Sequence, residues 1–175
     1  MRVIPVQLPP LEVHLHADRR LAFQVITAFG ASQGLAGSRS RVLGQDEDGR
    51  RLVEFHTPAE GWAGRQKVYR TVERVTLVEP ERVEFEGVEG PLTLLHDRFL
   101  LQSEGNCTRL RYESRVGLRG WLLGWLVARY YARPRLERLM RAHLEEMKEA
   151  VEARARRSKV YPQLPCGQEQ SSDIP

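Results

Sequence analysis

The fold is decided by residues 136–151, which read LERLMRAHLEEMKEAV. Apolar side chains recur in this stretch at spacings of three and four residues. An α-helix turns once in 3.6 residues, so the spacing places these side chains on one stripe that faces a core. The pattern predicts a long helix from about Arg119 to Arg157, broken near Pro134 because proline interrupts helical hydrogen bonding. The predicted stripe consists of Leu136, Met140, Leu144, Met147 and Val151.

The residues before this helix alternate between apolar and polar side chains, which is typical of half-buried strands. Residues 11–16 form the first such run, and Asp18 then occupies the N-cap position of a short helix that ends at Gly30. Turns rich in Gly, Pro and Asp divide the rest into short runs, which predicts an antiparallel sheet with one covered face. Six further strands are predicted at 41–44, 51–57, 65–78, 82–88, 92–103 and 108–116.

These elements predict a single domain over residues 11–157. The chain of 175 residues is of a size that one core can support. Residues 1–10 are predicted to be an N-terminal extension, too short and too rich in proline for a signal peptide. Residues 158–175 are rich in Pro, Gln and Ser and are predicted to be a flexible tail. No apolar run approaches the ~20 residues of a membrane-spanning helix.

Charge and cysteine content restrict the partners and the location. The 27 basic and 23 acidic residues leave a net charge of +4, and arginines alternate with other residues along the strands, which indicates a solvated surface and no nucleic-acid partner. Cys107 and Cys166 show neither a Cys-x-x-Cys pair nor a zinc-ligand spacing, and two cysteines do not make a disulfide framework. We therefore expect a reducing, cytoplasmic location.

The order of elements resembles that of a known superfamily. A strand, a short helix, six strands and one long final helix, over about Leu11 to Arg157, are similar to the helix-grip fold of the START/polyketide-cyclase (SRPBCC) superfamily. Residues 15–23 (LHADRRLAF) resemble the superfamily's first strand and the helix start that follows it. The resemblance implies an α+β fold, in which a curved seven-stranded antiparallel sheet wraps around the C-terminal helix and leaves an internal cavity.

Within that superfamily, the chain resembles most the coenzyme-Q-binding, START-like branch. The similarity rests on residues 90–92 (GPL), 97–101 (DRFLL) and 107–110 (CTRL). Proteins of this fold include lipid carriers, hormone receptors, aromatase/cyclases and hydroxylase subunits, so the fold by itself does not decide the activity. In place of the branch's Asn, Trp and Gly, this chain has Asp97, Phe99 and Cys107.

Side chains on the inward faces of the strands would form the wall of this cavity. That wall is largely apolar with a few polar groups, the usual composition of a small-molecule pocket, although the same side chains could simply fill a core. In the strand at 65–78, both Tyr69/Thr71 and Val68/Val72 are candidates for the inward face. The candidate ligand-binding residues are Phe55, Trp62, Tyr69, Phe85, Leu95, Asp97, Phe99, Leu101, Tyr112, Met140 and His143.

Three residues are candidates for catalysis. A carboxylate at Asp97 among apolar neighbours would have a raised pKa, and it could orient a ligand's polar end or exchange protons with Tyr112. A structural hydrogen bond or an outward orientation of Asp97 is the alternative. His143 lies at the edge of the helical stripe, where it could reach the cavity or be a boundary residue. The sequence contains no nucleophile elbow, phosphate loop or metal-ligand spacing, so no cofactor and no metal are expected.

Residues 118–133 are the most unusual stretch, because they are apolar nearly all round and carry several arginines. Trp and Tyr beside Arg are typical of a segment at a lipid headgroup boundary, and Trp62 in a glycine-flanked loop could close the same entrance. Three interpretations stay open: an entrance lid that touches a membrane transiently, a homodimer contact, or buried core. The residues concerned are Trp121, Leu122, Trp125, Leu126, Tyr130 and Tyr131.

The function predicted from these features is the binding, and with it transport or presentation, of a hydrophobic small molecule such as a lipid, a polyisoprenoid or quinone, or an aromatic compound. An aromatase/cyclase-like enzyme acting on a polyketide-like substrate is the second interpretation, less favoured because no catalytic motif accompanies the candidate residues. A protein-interaction module that uses the patch from Trp121 to Tyr131 is the third. The protein is expected to be a monomer or a homodimer.

Overall fold

A computed structural model of the chain describes residues 2–30, 38–60, 65–120, 126 and 128–166. Strands form most of the first two thirds, and a long helix follows them. In chain order the elements are the strands β1 (Arg2–Gln7) and β2 (Leu11–Leu15), the helix α1 (Arg19–Ile26), the strands β3 (Arg39–Gln45), β4 (Arg51–Glu60), β5 (Gln66–Val78), β6 (Arg82–Glu89), β7 (Leu94–Glu104) and β8 (Cys107–Gly120), a π-helical turn (Ala128–Ala132) and the helix α2 (Arg133–Arg157).

The strands of the described residues form one antiparallel sheet, with neighbours in the order β1, β8, β7, β6, β5, β4 and β3. β2 also pairs with β8, where Val13 lies opposite Leu110. Further along β8, Val6 of β1 lies opposite Val116. β1 and β2 therefore share one edge of β8, one after the other. With α2 against the inner face, this arrangement confirms the predicted α+β helix-grip fold.

All seven predicted strands are present, and the described residues contain an eighth, β1. The sequence predicts an extension outside the domain there, because three prolines among the first ten residues disfavour a strand. β1 lies at the edge of the sheet, where a strand tolerates proline, and its Pro5 lies opposite Gly117 of β8.

The long C-terminal helix begins later than predicted. β8 continues to Gly120, and Arg119 lies opposite Val3 in the sheet rather than in a helix. Pro134 stands in the first turn of α2, where the missing N–H of proline costs no helical hydrogen bond. The predicted apolar stripe is confirmed. Its buried members are Leu144, Met147 and Val151, and its partly buried members are Leu136 and Met140.

The short helix α1 begins as predicted. The Asp18 side chain accepts a hydrogen bond of 2.9 Å from the backbone N–H of Leu21 and so satisfies one free donor of the first turn. The helix ends at Ile26, earlier than the predicted end at Gly30, and buries Phe23 in the core. No helix in the part of the chain that the structure describes combines the length and the apolar character needed to cross a membrane.

Cys107 and Cys166 form a disulfide, with their Cα atoms 5.3 Å apart. The sequence-based expectation of no disulfide framework misses this bond, because the two residues are 59 positions apart in sequence and only the fold brings them together. The predicted cytoplasmic location depended on that expectation and loses this support, since disulfides persist in oxidising environments.

The segment from Ser158 to Cys166 is held against the domain, although the sequence predicts a flexible tail from Ser158 onward. The Asn106 side-chain amide donates a hydrogen bond of 3.1 Å to the carbonyl oxygen of Leu164. The ring of Tyr161 stacks on that of His16, with 5.6 Å between the centroids. These contacts join residues far apart in sequence, which local composition does not reveal. The remainder of the tail lies outside the described residues.

Candidate functional site

A cavity of about 810 Å³ lies between the inner face of the sheet and the two helices. Its volume falls within the range of about 300–1,000 Å³ that is typical of small-molecule sites. The α2 positions that line it run from Leu139 to Arg157, which corresponds to roughly 27 Å along the helix axis, so the cavity is long. The lining residues are Leu21, Gln24, Val25, Ile26, Ala28, Phe29, Ser38, Ser40, Phe55, Thr57, Glu73, Phe85, Asp97, Phe99, Leu139, Met140, His143, Met147, Ala150, Ala153, Arg154 and Arg157.

Four phenylalanines form a connected cluster in the cavity wall. Phe55, Phe85 and Phe99 reach the inner face from β4, β6 and β7 because alternate strand residues share a face. Phe29 comes from the turn after α1 and lies edge to face with Phe55 and Phe85, at centroid distances of 5.9 and 6.0 Å. Phe85 and Phe99 are 5.7 Å apart in the same arrangement. The cluster offers both ring faces and ring edges to an apolar or aromatic ligand.

Asp97 faces the cavity from β7, opposite Phe85 of β6 and Ser114 of β8. Burial raises the pKa of its carboxyl group to about 6, and the nearby hydroxyls of Ser114 and Tyr112 keep that pKa from rising further. Among the described residues, Asp97 Oδ1 has no hydrogen-bond partner. The structure therefore excludes the outward orientation and leaves a buried acceptor open to a ligand.

Glu73 of β5 is a second carboxyl group in the cavity, and it is not among the sequence-predicted residues. The Thr71 hydroxyl donates a hydrogen bond of 2.6 Å to Glu73 Oε1. The pKa of Glu73 is raised to about 7, chiefly by burial; the Thr71 hydrogen bond opposes this rise, and the negative charge of Asp97 adds to it. Near neutral pH, Glu73 therefore exists both as an acid and as a carboxylate.

The orientation of β5 explains why Glu73 escaped prediction. The pairing of β5 with β6 shifts between Val72 and Glu73, which marks a bulge. On the β4 side, Tyr69 and Thr71 lie opposite Thr57 and Phe55, which line the cavity. Val68 is 59% exposed, and Val72, although buried, lies opposite Glu54. The Tyr69/Thr71 alternative is therefore correct, and one further step of its alternation would have identified Glu73.

The helix α2 adds polar groups along the opposite wall. Burial lowers the pKa of His143, so its imidazole is neutral near pH 7 and can donate a hydrogen bond from one ring nitrogen and accept at the other. Arg154 and Arg157 line the cavity roughly three to four helical turns further along. The cavity is therefore acidic at the sheet and basic at the C-terminal end of α2.

Of the eleven sequence-predicted ligand-binding residues, six line the cavity, four do not, and one lies outside the described residues. Leu95, Leu101 and Tyr112 do not line the cavity; they pack in the core around it, where the centroid of the Tyr112 ring lies 4.9 Å from that of Phe99. Tyr69 is half-buried near the beginning of β5, and Trp62 lies outside the described residues. The residues that do line the cavity are Phe55, Phe85, Asp97, Phe99, Met140 and His143.

The aromatic segment before α2 is only partly described. Trp121, Leu122 and Trp125 lie outside the described residues. The Leu126 side chain is 44% exposed and that of Tyr130 is 69% exposed, so the buried-core interpretation does not hold for these two. Tyr131 is half-buried, with the guanidinium of Arg135 4.2 Å from its ring centroid.

The fold is similar to several solved structures. The Zhui aromatase/cyclase from Streptomyces sp. R1128 superimposes with a TM-score of 0.72 at 16% identity, over 90% of this chain and 98% of that chain. A protein from Thermus thermophilus gives 0.68 at 16% identity, over 86% and 99%. A START superfamily protein from Mycobacterium smegmatis gives 0.62 at 17% identity, over 87% and 99%. The sequence itself matches no protein-family model and no curated protein.

Proposed function

Given that the chain has a START-like helix-grip fold, we propose that it binds a hydrophobic small molecule between the sheet and α2. The observation that carries this proposal is the cavity, which is long, about 810 Å³ in volume and walled largely by apolar side chains. Burial of apolar ligand surface contributes about 25 cal/mol per Å² before the cost of ordering the ligand. This term would supply most of the affinity.

The two buried carboxyl groups suggest what the polar end of the ligand carries. Asp97 Oδ1 lacks a hydrogen-bond donor among the described residues, and neither an arginine nor a lysine contributes to the pKa shift of Glu73 or Asp97. A ligand hydroxyl, phenol or protonated amine at this point would supply the missing donor. The ligand is therefore an apolar molecule with at least one hydrogen-bond donor.

The shape of the cavity favours particular members of the predicted ligand classes. Its length suits an extended acyl or isoprenoid chain, and the phenylalanine cluster beside Asp97 suits a ring. A quinol with an isoprenoid tail combines a ring, a hydroxyl donor and an extended chain. This combination supports a ligand of the coenzyme-Q type, which the protein would carry or present while shielding it from water.

Filling the cavity tests this proposal. Ala150 lines the cavity from α2, whereas Ala142 lies on the exposed side of the same helix, so Ala150→Trp and Ala142→Trp add the same side chain inside and outside. Binding of a fluorescent apolar probe, and its displacement by a panel of quinols, fatty acids and aromatic phenols, measures the outcome. Native mass spectrometry detects any ligand that co-purifies. Equal binding by both variants, or no binding of any panel member by the wild type, would contradict the proposal.

Catalysis on a bound polyketide-like substrate is the second candidate, and one observation favours it. Glu73 and Asp97 have pKa values of about 7 and about 6, close to the value at which an acid or base transfers protons efficiently near neutral pH. Incubation with a reactive polyketone, followed by chromatography of the cyclised products, tests it. Asp97→Asn would change the product profile if the reaction uses this carboxyl group, and an unchanged profile would leave only binding.

A transient membrane contact at the entrance is a separate proposal, supported by the exposed side chains of Leu126 and Tyr130 and by the Arg129 guanidinium 6.0 Å from the Tyr130 ring. We expect the protein to float with vesicles that contain anionic lipid and the Leu126→Ser/Tyr130→Ser variant to float less. Sedimentation of the two proteins separates this from a homodimer contact, which the same substitutions would weaken. If the substitutions change neither the flotation with vesicles nor the sedimentation, an interaction with another protein is the remaining interpretation of this patch.

A cytoplasmic location also stays a proposal. Alkylation of free thiols in intact cells distinguishes a reduced Cys107/Cys166 pair from the disulfide of the structure. A pair that is oxidised throughout would argue for an oxidising compartment instead.

A further inference from the structure

A nitrogen atom and two sulfur atoms come together beside β8, away from the cavity. His16 follows β2, Cys107 begins β8 and Cys166 lies in the segment after α2, and one potential ligand atom of each lies within 4.8 Å of the other two. None of these three residues lines the cavity. The three residues are far apart in sequence, so no local spacing predicts the cluster.

A buried carboxylate holds the histidine of this cluster. His16 Nδ1 lies 3.0 Å from Glu152 Oε1, and the His16 backbone N–H donates to the same oxygen at 3.2 Å. The Glu152 side chain is only 9% exposed, and it is held in turn by Lys148 and Arg156. A carboxylate at one ring nitrogen fixes the orientation of a histidine and makes the other nitrogen a better metal ligand. The contact with Glu152 engages Nδ1 of His16 and leaves Nε2 available to bind a metal ion.

Contacts other than the disulfide keep the C-terminal segment in place. The Val160 N–H donates a hydrogen bond of 3.0 Å to the carbonyl oxygen of Ala155. Leu164 accepts the hydrogen bond from Asn106, the residue before Cys107. The Tyr161 ring stacks on the His16 ring, and the Arg156 guanidinium lies 4.4 Å from the Tyr161 ring centroid. Reduction of the disulfide would therefore leave both sulfur atoms close to His16.

We propose that the reduced chain binds one zinc ion through His16, Cys107 and Cys166, and that the disulfide is the metal-free, oxidised state of the same site. Two thiolates and an imidazole are a ligand set that zinc prefers and that magnesium and calcium do not. Three protein ligands leave a fourth tetrahedral position for water. Because the site lies outside the cavity, the proposal is independent of the proposed ligand-binding function.

Reduction of the disulfide precedes binding of the metal. A trialkylphosphine reduces the bond by taking up the oxygen atom of one water molecule, and it leaves two thiols and a phosphine oxide. Zinc then replaces the two thiol protons, and the His16 imidazole donates the lone pair of one ring nitrogen to the ion. A small-molecule disulfide re-forms the bond by thiol–disulfide exchange: it takes up the two electrons and two protons and leaves as two thiols, and the zinc ion is released.

Cobalt(II) is a spectroscopic probe for this site, because thiolate ligation produces a charge-transfer absorption and tetrahedral geometry produces intense d–d bands. We expect the phosphine-reduced full chain, kept free of oxygen, to show the charge-transfer absorption and the d–d bands when one equivalent of cobalt is added. Addition of zinc should abolish both signals. The oxidised chain is expected to show neither. Absence of these bands in the reduced chain would overturn the proposal, and so would loss of the fold on reduction that zinc does not reverse.

Variants identify the ligands. Cys166→Ser and His16→Ala are each expected to abolish the tetrahedral spectrum, and the reduced wild type serves as the control for loss of the disulfide itself. Glu152→Gln is expected to weaken zinc binding roughly 10- to 100-fold and to shift the d–d bands, because Glu152 positions His16. His14→Ala is the matched control, since His14 lies on β2 two residues before His16, has a side chain 51% exposed and pairs with Glu104. Full binding by His16→Ala, or equal weakening by His14→Ala, would refute the assignment.

Discussion

The carboxyl groups of Glu73 and Asp97 enter the same cavity from β5 and β7, and the negative charge of Asp97 raises the pKa of Glu73. β6 lies between these two strands, so the inner face of the sheet carries two carboxyl groups with Phe85 of β6 between their strands. No arginine or lysine among the described residues contributes to the pKa shift of either group, so keeping both carboxyl groups in a largely apolar cavity costs stability. That cost depends on pH, and it can be measured.

Replacing Glu73 by Gln is expected to stabilise the protein at high pH. The pKa is about 7 in the folded chain against 4.5 in the unfolded chain, so between these values the folded state keeps a proton that the unfolded state has lost. The free energy of unfolding therefore falls as pH rises through this window. At about pH 8, Glu73→Gln should gain about 1–3 kcal/mol relative to the wild type, and at about pH 4 little or nothing.

Urea unfolding at the two pH values measures this difference. Asp97→Asn should behave alike, with its window between 3.8 and about 6. Glu145→Gln, on the exposed side of α2, is the control and should show no such pH dependence. An equal gain at both pH values would mean that the amide improves packing rather than removing a buried charge.

Thr108→Val should lose the hydrogen bond that joins β8 to the start of α1. The buried Thr108 hydroxyl donates to the carbonyl oxygen of Ala17 at 2.8 Å, and valine keeps the shape but leaves this carbonyl unsatisfied. We expect a loss of about 1–3 kcal/mol in the free energy of unfolding. Thr93→Val, at an exposed position, is the control. Similar stabilities of the two variants would show that water replaces the lost donor.

Gly117→Ala should loosen the edge of the sheet that carries β1. A Cβ atom at Gly117 would lie 2.8 Å from both Leu94 Cβ and Val3 Cγ1, so β1 and β7 would have to move apart. We expect a loss of about 1–3 kcal/mol, and faster amide hydrogen exchange in β1. Arg115→Ala, two residues earlier at an exposed position, should change neither quantity. Unchanged exchange in Gly117→Ala would argue that the edge relaxes without opening.

Reduction of the disulfide should lower the free energy of unfolding by about 2–4 kcal/mol, since the bond closes a long loop in the unfolded chain. Denaturation with and without a phosphine, in the absence of metal, measures the loss. The Cys107→Ser/Cys166→Ser variant should match the reduced wild type and not respond to the phosphine. A variant as stable as the oxidised wild type would show that the contacts of Tyr161 and Leu164 already hold the segment.

Local sequence patterns were sufficient to predict the strands, the start of α1 and the apolar stripe of α2. Alternation identified the seven strands, Asp18 marked the start of α1, and the spacing from Leu136 to Val151 marked the stripe of α2 that closes the core. The resemblance to the START superfamily supplied the expectation of a cavity. Asp97 could be placed in its wall because β7 alternates without interruption.

The features that escaped prediction depend on pairing between distant residues. Both faces of β5 carry side chains that suit a core, so periodicity left its inward face ambiguous, and only the pairing with β4 decides it. Pro5 disfavoured a strand that only the free edge of β8 makes possible. The contact of His16 with Glu152 joins the N-terminal part of the chain to the C-terminal helix, and the disulfide joins the C-terminal segment to β8. No short window of sequence contains both partners of either contact.

Both ends of the described chain are fastened to one strand, at opposite ends of it. Arg2 pairs with Gly120, and Cys166 is bonded to Cys107, so the two attachment points are separated by the length of β8, roughly 43 Å. A force that pulls the chain ends apart would therefore run along β8 and load the β1–β8 hydrogen bonds together in shear, instead of opening them one at a time. The helix and its cavity would lie outside the path of that force for as long as the bond between the two cysteines is intact.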